Sequence, residues 1–165
     1  DTHVINSLAR TATLWTDLEE MRGPGVQSVY VLPQAAGRFW AIISLKTMYP
    51  GHSMHAAVAA HGSSTGHFGM KGVIVVDADI RADDLDRVLW ALGVRYDPRR
   101  STEIISRARS TPLDPSLPID SRHIGSKIIL DATIPYEWER KPEEIFLDEG
   151  VVERVKKRWK ELGLD

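Results

Sequence analysis

The chain has 165 residues, of which 42% are hydrophobic, a formal net charge of −2 and no cysteine. These values fit one globular domain, and they exclude disulfide bonds, zinc–thiolate sites and a cysteine nucleophile. The near-neutral charge provides no general attraction to nucleic acid or anionic membranes, and no apolar run approaches the ~18 residues that a membrane span requires.

The first part of the chain predicts one helix and two strands. Apolar residues recur at three- and four-residue steps over 8–21, with Ser7 as the expected N-cap and the Gly-Pro-Gly of 23–25 as the stop. Apolar and polar residues alternate over 26–32, which predicts a strand with a buried face. Residues 39–45 are apolar on both faces, as is typical of a central strand.

Helices continue to alternate with buried strands through the middle of the chain, which predicts α/β layering. We therefore expect a single domain over residues 1–165, built on a mixed sheet of about four to five strands flanked by helices. The further predicted elements are strands at 72–76, 102–105 and 127–130, and helices at 54–60, with Ser53 as N-cap, and at 82–92.

A last helix is predicted over 149–162 and is expected to protrude from the domain. Basic residues on this helix are interspersed with glutamates, which favours a solvated face over a nucleic-acid surface. Its apolar stripe is suited to pack on another subunit. The stripe consists of Val152, Val155, Trp159 and Leu162.

Four histidines lie within sixteen residues of one another, at positions 52, 55, 61 and 67. A metal site would require two or three of them on one face together with a carboxylate, and no acidic residue lies among them. The favoured interpretation is that these histidines occupy loops and helix ends, or contact anions.

Asp77 and Asp79 directly follow a strand that is apolar on both faces. Ligands of open α/β sheets bind at that end of the strands, so the two carboxylates could hold Mg²⁺. The favoured alternative is that they cap the helix that follows. The glycine-bearing loop 62–66 lacks the spacing of a nucleotide-binding loop, and the residues alone reveal no complete catalytic set.

Six parts of the sequence match motifs that occur together, in this order, in one enzyme family. They are 1–8 (DETH…IGSL in the family), 42–46 with 49–52 (VSIKK.YPGH), 73–80 with 86–92 and 95–98 (VVVDDDID…DVLWALATRVDP), 111–114 (SPLDP), 125–133 (GSKMGIDATKP) and 158–159 (RWEEYG). The set resembles the C-terminal domain of the UbiD-type decarboxylases, in particular the ferulic and phenolic acid decarboxylases.

The resemblance implies a carboxy-lyase that reversibly decarboxylates a small aromatic or α,β-unsaturated carboxylic acid. Such enzymes use prenylated flavin mononucleotide (prenylated FMN) with Mn²⁺ and K⁺, and they are expected in the cytoplasm. Their metal ligands, most flavin contacts and catalytic residues belong to the preceding domain. We therefore expect no catalytic residue and no metal ligand here, and an isolated chain that is inactive until it is joined to its own N-terminal domain. The start at Asp1, without Met, fits a boundary just after that domain.

The resemblance also implies which residues contribute to the active site. Ile5 and the loop Thr111-Pro112-Leu113 fall where the family lines its substrate pocket. His61 falls at an aromatic position of that pocket, and His55 at a basic position that contacts the flavin phosphate. Both histidines depart from the family residues: His55 could still contact an anion, and His61 suggests a phenolic or other hydrogen-bonding substrate. The alternative for each is a histidine on the helix surface.

The family pairs its subunits largely through this domain, with the last helix reaching a neighbouring subunit. The resemblance therefore implies a homodimer or a higher homo-oligomer. The alternative is a stand-alone, non-catalytic assembly or binding subunit that has the same fold.

Overall fold

The computed structural model describes residues 2–143, 145, 147–159 and 161–163. Its strands are β1 (Val26–Val31), β2 (Trp40–Leu45), β3 (Gly72–Asp77), β4 (Thr102–Arg109) and β5 (Ile124–Ala132). They form one sheet in the order β1-β2-β3-β5-β4. β2, β3 and β5 run parallel, and β1 and β4 pair antiparallel at the two edges.

Helices cover both faces of this sheet, and a further helix lies towards the end of the chain. They are α1 (Thr2–Glu20), α2 (His52–Gly62), the single turn α3 (Gly66–Gly69), α4 (Leu85–Val94) and α5 (Glu149–Lys157). The apolar side chains of α1 and α2 pack on one face and those of α4 on the other. The prediction of an α/β fold with a mixed sheet flanked by helices is therefore confirmed.

The central strands alternate their side chains between the two cores. Ile43 points to the layer formed by α1 and α2, whereas its neighbour Ile42 points to α4. Val75 and Val76 divide in the same way on β3. Because both faces are covered, these strands are apolar at successive positions, which is why their sequence predicts a central location.

The prediction that Ser7 caps the first helix is wrong. α1 begins at Thr2, and Ser7 lies buried inside it, where its hydroxyl donates to the Val31 carbonyl. A serine hydroxyl can satisfy a distant carbonyl as readily as a helix terminus, so the residue type alone does not identify a cap.

The predicted end of α1 is confirmed. The N–H of Arg22 donates to the Glu19 carbonyl at 2.9 Å, and the N–H of Gly23 donates to the Leu18 carbonyl at 3.1 Å. These two bonds form a Schellman motif, which closes a helix with one residue in the left-handed conformation. That residue is Arg22, with a φ of 53°.

The predicted cap of α2 is also wrong. Gly51, with a φ of 78°, precedes the helix, which begins at His52. Ser53 lies in the first turn, where its hydroxyl donates to the Asp131 carboxylate at 2.5 Å. This bond ties the start of α2 to the carboxyl end of β5.

The edge pair β4–β5 is longer than its apolar stretches predict. The two strands stay paired through polar residues as far as the pair Arg109 and Ile124. The register shifts between Ile105 and Ala108, and Arg107 in that bulge has a φ of 57°.

The C-terminal helix is present but shorter than predicted, because α5 ends at Lys157. Trp159 and Leu162 follow in turns, and Lys160 lies outside the described residues. No residue of α5 is buried. None of the helices in the described ranges combines the length and apolarity that would be needed to cross a membrane.

Candidate functional site

The carboxyl ends of β2 and β3 open onto a cleft of about 490 Å³. Asp77 and Asp79 line this cleft together with Arg95, which follows α4. One guanidinium nitrogen of Arg95 donates to Asp79 at 2.9 Å and to Asp77 at 3.1 Å, and a second donates to Asp79 at 2.7 Å. The Arg95 side chain is only 8% exposed. The buried arginine therefore hydrogen-bonds both carboxylates and offsets one of their two negative charges.

The two carboxylates of this cleft respond differently to their surroundings. Burial raises the pKa of Asp77, although the N–H of Ile134, at 2.8 Å, and the Arg95 guanidinium work against that rise. The hydrogen bond from Arg95 lowers the pKa of Asp79, whose side chain is more exposed.

Neither sequence-based interpretation of Asp77 and Asp79 describes what these residues contact. The favoured capping role is wrong, because Asp84 caps α4 by accepting the N–H of Arg87 at 3.2 Å. For the Mg²⁺ alternative, the described residues contain no group of three or more histidine, aspartate or glutamate side chains that could hold a metal ion. The carboxylates instead bind a guanidinium.

A second cavity, of about 200 Å³, lies between the end of α1 and the start of α2. Buried His52 lines this cavity. Its Nδ1 accepts the N–H of Met48 at 3.1 Å, and its ring stacks on Tyr49 with centroids 4.2 Å apart. Burial lowers the pKa of His52 despite its hydrogen bond to the Pro24 carbonyl. We call this cavity the α1–α2 groove.

His55, the residue predicted to contact the cofactor, lies at the rim of the α1–α2 groove. It is exposed, and its Nδ1 lies 3.4 Å from the Tyr49 hydroxyl. If that hydroxyl donates, the proton of the neutral imidazole is on Nε2, which is then available to donate elsewhere. The predicted contact with a cofactor phosphate is compatible with this placement and stays a prediction.

His61 lies at the opposite end of α2 and is 4% exposed. Its Nε2 lies 3.2 Å from the Ile128 carbonyl and is the nitrogen that can donate to it, while the buried Nδ1 has no hydrogen-bond partner. Burial lowers the pKa of His61 to about 4, so the ring is neutral at pH 7. The alternative of a helix-surface histidine is therefore wrong for His61, and its role in a substrate pocket stays a prediction.

Lys127 is a buried cation beside His61 that was not among the predicted site residues. Its Nζ donates to the carbonyls of Gly66 at 2.8 Å and Met70 at 2.6 Å. Burial lowers the pKa of Lys127 to about 8. The lysine fixes the two ends of α3 against β5.

The predicted pocket loop is stabilised by a hydrogen bond within the loop and by two flanking cations. Thr111 is buried, and its hydroxyl accepts the N–H of Leu113 at 3.3 Å. Arg122 donates to the Pro112 carbonyl at 3.3 Å, and Lys71 lies 3.0 Å from the carboxylate of Asp114. The Leu113 side chain is 63% exposed. The loop therefore presents an apolar side chain from a fixed backbone.

Ile5 is exposed near the start of α1, with Leu8 on the following turn also exposed. Ser7 contacts Val31 on β1. In the register of the sheet, Val31 is aligned through β2 and β3 with Ile129 on β5. Ile129 is next to Ile128, whose carbonyl His61 contacts. The residues predicted to line a substrate pocket thus share one end of the sheet. Three strand spacings, about 14 Å, separate the β1 side from the β5 side, so Ile5 lies apart from His61 and Thr111. Ile5 and Leu113 are exposed, whereas His61 and Thr111 are buried.

Comparison with known proteins places the chain in an enzyme context. The family described as the 3-octaprenyl-4-hydroxybenzoate carboxy-lyase C-terminal domain (UbiD_C) matches residues 3–132. An uncharacterized protein of Aeropyrum pernix is 35% identical over 147 residues, which cover 86% of this chain and 29% of that protein.

Solved structures with the same fold are UbiD-class enzymes. One is the UbiD-class enzyme HmfF of Pelotomaculum thermopropionicum in complex with FMN, with a TM-score of 0.76, 30% identity, and coverage of 88% of this chain and 31% of that one. Another is the vanillic acid decarboxylase of Sedimentibacter hydroxybenzoicus, with a TM-score of 0.78, 31% identity, and coverage of 96% and 33%. This chain therefore spans about a third of the length of the proteins it matches.

Proposed function

This chain belongs to the UbiD C-terminal domain family, and from that premise we propose that it is the substrate-pocket and oligomerisation domain of a carboxy-lyase. The whole enzyme would decarboxylate, reversibly, a small aromatic or α,β-unsaturated carboxylic acid with prenylated FMN. The observation that carries the proposal is that 96% of the chain superposes on one third of a vanillic acid decarboxylase.

The remaining two thirds of such an enzyme would be an N-terminal domain that holds the flavin and the metal ions Mn²⁺ and K⁺. When bound, the prenylated flavin supplies the electron-accepting ring that makes loss of carbon dioxide possible. The residues of this chain fit a contact to the phosphate end only, through exposed His55 at the rim of the α1–α2 groove. The resemblance assigns the ligands of Mn²⁺ and K⁺ to that other domain.

The contribution of this chain to the pocket would be an apolar wall. Ile5 and Leu113 are large apolar side chains that the isolated fold leaves 67% and 63% exposed. Covering them with the flavin domain would exclude water from the acid and remove apolar surface from solvent. Thr111 and Pro112 would fix the backbone that presents Leu113.

Reconstitution of the two domains tests this proposal. We expect the chain alone to release no carbon dioxide from vanillic acid or 3,4-dihydroxybenzoic acid, and activity to appear once it is joined to a UbiD-type flavin domain reconstituted with prenylated FMN. In the joined protein, Leu113→Asp should raise KM more than it lowers kcat. The matched control is Ile119→Asp, an apolar residue 81% exposed in the same irregular segment but outside the predicted pocket. Decarboxylation by the chain alone would contradict the proposal.

The second candidate function is that of a stand-alone assembly or binding subunit. Its assembly role would rest on the amphipathic helix α5, because Val151 and Val155 on its apolar side are 39% and 37% exposed and no residue of the helix is buried. Such a stripe gains stability only by packing on another surface. Assembly through α5 is compatible with both candidate functions.

Two measurements separate the candidates. Val155→Asp should convert an oligomer into monomers in sedimentation experiments while leaving thermal unfolding of the monomer unchanged. An oligomer that forms through α5 but never supports decarboxylation with any flavin domain would favour the stand-alone subunit. Unchanged association in Val155→Asp would remove the assembly role of α5 from both candidates.

A further inference from the structure

We infer that Lys71 is a positioning residue, which fixes the pocket loop that presents Leu113 through an ion pair with buried Asp114. The inference rests on the proposed function, because that function assigns Leu113 to the wall of a substrate pocket. It adds the residues at 71 and 114, whose side chains would act on the substrate only through the leucine.

The pocket loop is a tight turn with Leu113 near its tip. The N–H of Asp114 donates to the Thr111 carbonyl at 3.0 Å, which closes a four-residue turn with Pro112 and Leu113 at its centre. Thr111 and Asp114, at the two ends of the turn, are each 1% exposed, whereas Leu113 is 63% exposed. The turn therefore projects one apolar side chain from two buried ends.

The carboxylate of Asp114 fixes the second of these ends. Its Oδ1 accepts the N–H of Ser116 at 3.0 Å, the Ser116 hydroxyl at 2.8 Å and Nζ of Lys71 at 3.1 Å. The same Nζ lies 3.0 Å from Oδ2, which accepts no hydrogen bond from the described part of the chain. Nζ also donates to the Ser116 hydroxyl at 2.6 Å. Lys71 thus supplies the positive charge that compensates the burial of Asp114.

The backbone of Lys71 belongs to the sheet on the other side of the predicted pocket. Its N–H donates to the Phe39 carbonyl at 2.7 Å, and its carbonyl accepts the N–H of Ile128 at 2.7 Å. The carbonyl of Ile128 lies 3.2 Å from Nε2 of His61. Lys71 therefore connects the turn, through its side chain, to the start of the strand that His61 contacts. The relative placement of Leu113 and His61 depends on this one residue.

Stability alone does not account for this ion pair. Removing two charges from water costs about as much free energy as their attraction returns, and the best-attested use of such pairs is to specify one arrangement of the chain. A turn that only reverses the chain direction does not require a specified arrangement. Side chains that contact a ligand do require it, and they are positioned by residues whose own conformations are fixed. The ion pair and the exposed leucine together indicate that Lys71 positions Leu113.

Backbone relaxation of the 165-residue chain, measured by ¹⁵N NMR, tests the inference without any enzyme assay. In wild type the amides of residues 113 and 116 should be rigid, with order parameters of about 0.85, and in Lys71→Met they should fall below about 0.6. Lys71→Arg should restore rigidity, because it returns the charge. Lys71→Met combined with Asp114→Asn leaves no unpaired buried charge, so it should fold and show the same mobile turn.

Kinetics of the protein joined to a flavin domain test the link to the substrate. The double variant Lys71→Met with Asp114→Asn should raise KM roughly fivefold and change kcat less, because the substrate must then order the turn on binding. In a Leu113→Ala background the same double variant should add no further increase in KM, because the side chain through which it acts is absent. Asp79→Asn is the matched control: it removes one ion pair of Arg95 at the opposite end of the strands and should leave KM unchanged.

Two results would overturn the inference: a turn that stays rigid in both charge-removing variants, or an increase in KM that is the same with and without Leu113→Ala. Failure of the proposed function is a separate outcome. A joined protein that never releases carbon dioxide would count against the proposed function, and the relaxation measurements would still decide whether Lys71 fixes the turn.

Discussion

The two ends of the parallel strands bury positive charge in different ways. At the carboxyl end Arg95 lies between two carboxylates, at distances of 2.7 to 3.1 Å. At the amino end Lys127 donates to two backbone carbonyls, and beside it His61 has one ring nitrogen without a partner. Opposite charges compensate burial at one end, and only dipoles do so at the other.

This difference determines how each end responds to pH. A buried cation beside carboxylates keeps its proton, whereas burial without an opposite charge favours the neutral form. The pKa of Lys127 falls to about 8 and that of His61 to about 4 for this reason. Removing a charged partner should therefore destabilise the carboxyl end of the strands. A pH that places a charge on His61 or Lys127 should destabilise the amino end.

The largest expected effect comes from removing Arg95. Arg95→Met leaves Asp77 without its partner in a partly buried site, and the free energy of unfolding should fall by about 4 kcal/mol. Urea denaturation measures the loss. Arg81→Met is the control, because Arg81 forms an exposed pair with Asp83 and should cause no measurable loss. Equal losses in the two variants would mean that the buried ion pairs of Arg95 add nothing to the free energy of unfolding.

The second effect concerns His61 at acid pH. Its pKa is about 4 in the folded chain and 6.5 in the unfolded chain, so between these values the unfolded state binds more protons. The contribution of neutral His61 to the free energy of unfolding is fully present above pH 6.5. It decreases as the pH falls and is about 3 kcal/mol smaller at pH 4. His61→Gln should reduce this dependence. Parallel stability curves for wild type and variant would contradict it.

The third effect concerns Lys127 at alkaline pH. Its pKa is about 8 in the folded chain and 10.5 in the unfolded chain, so the unfolded state binds the extra proton between these values. Stability should rise with pH in this window, by about 2 kcal/mol from pH 8 to 9.5. The difference between wild type and Lys127→Met isolates this contribution, and a difference that does not change with pH would refute it.

Patterns of apolar residues predicted the strands and the layering well. β2 and β3 are apolar at successive positions because both faces are covered, and that cause is visible in the sequence. The caps were predicted poorly. Ser7 and Ser53 are of a residue type that favours caps, but both lie within helices and each hydroxyl bonds to a distant group. Partners far apart in the chain are known only once the fold is known.

The candidate sites were less accessible to prediction for the same reason. Asp77 and Asp79 were recognised as unusual, but Arg95 lies sixteen to eighteen residues away, and only the packing of α4 brings it to them. The burial of His61 depends on β5, which enters the sheet more than sixty residues later.

The bulge in β4 has a consequence for solubility. β4 is an edge strand, and an exposed edge invites pairing with the strand of another molecule, which leads to aggregation. The register shift between Ile105 and Ala108 and the left-handed Arg107 interrupt the row of backbone donors and acceptors that such pairing requires. Glu103 and Arg109 add charge along the same strand. The irregular backbone of β4 thus protects this edge of the sheet from pairing with a further strand.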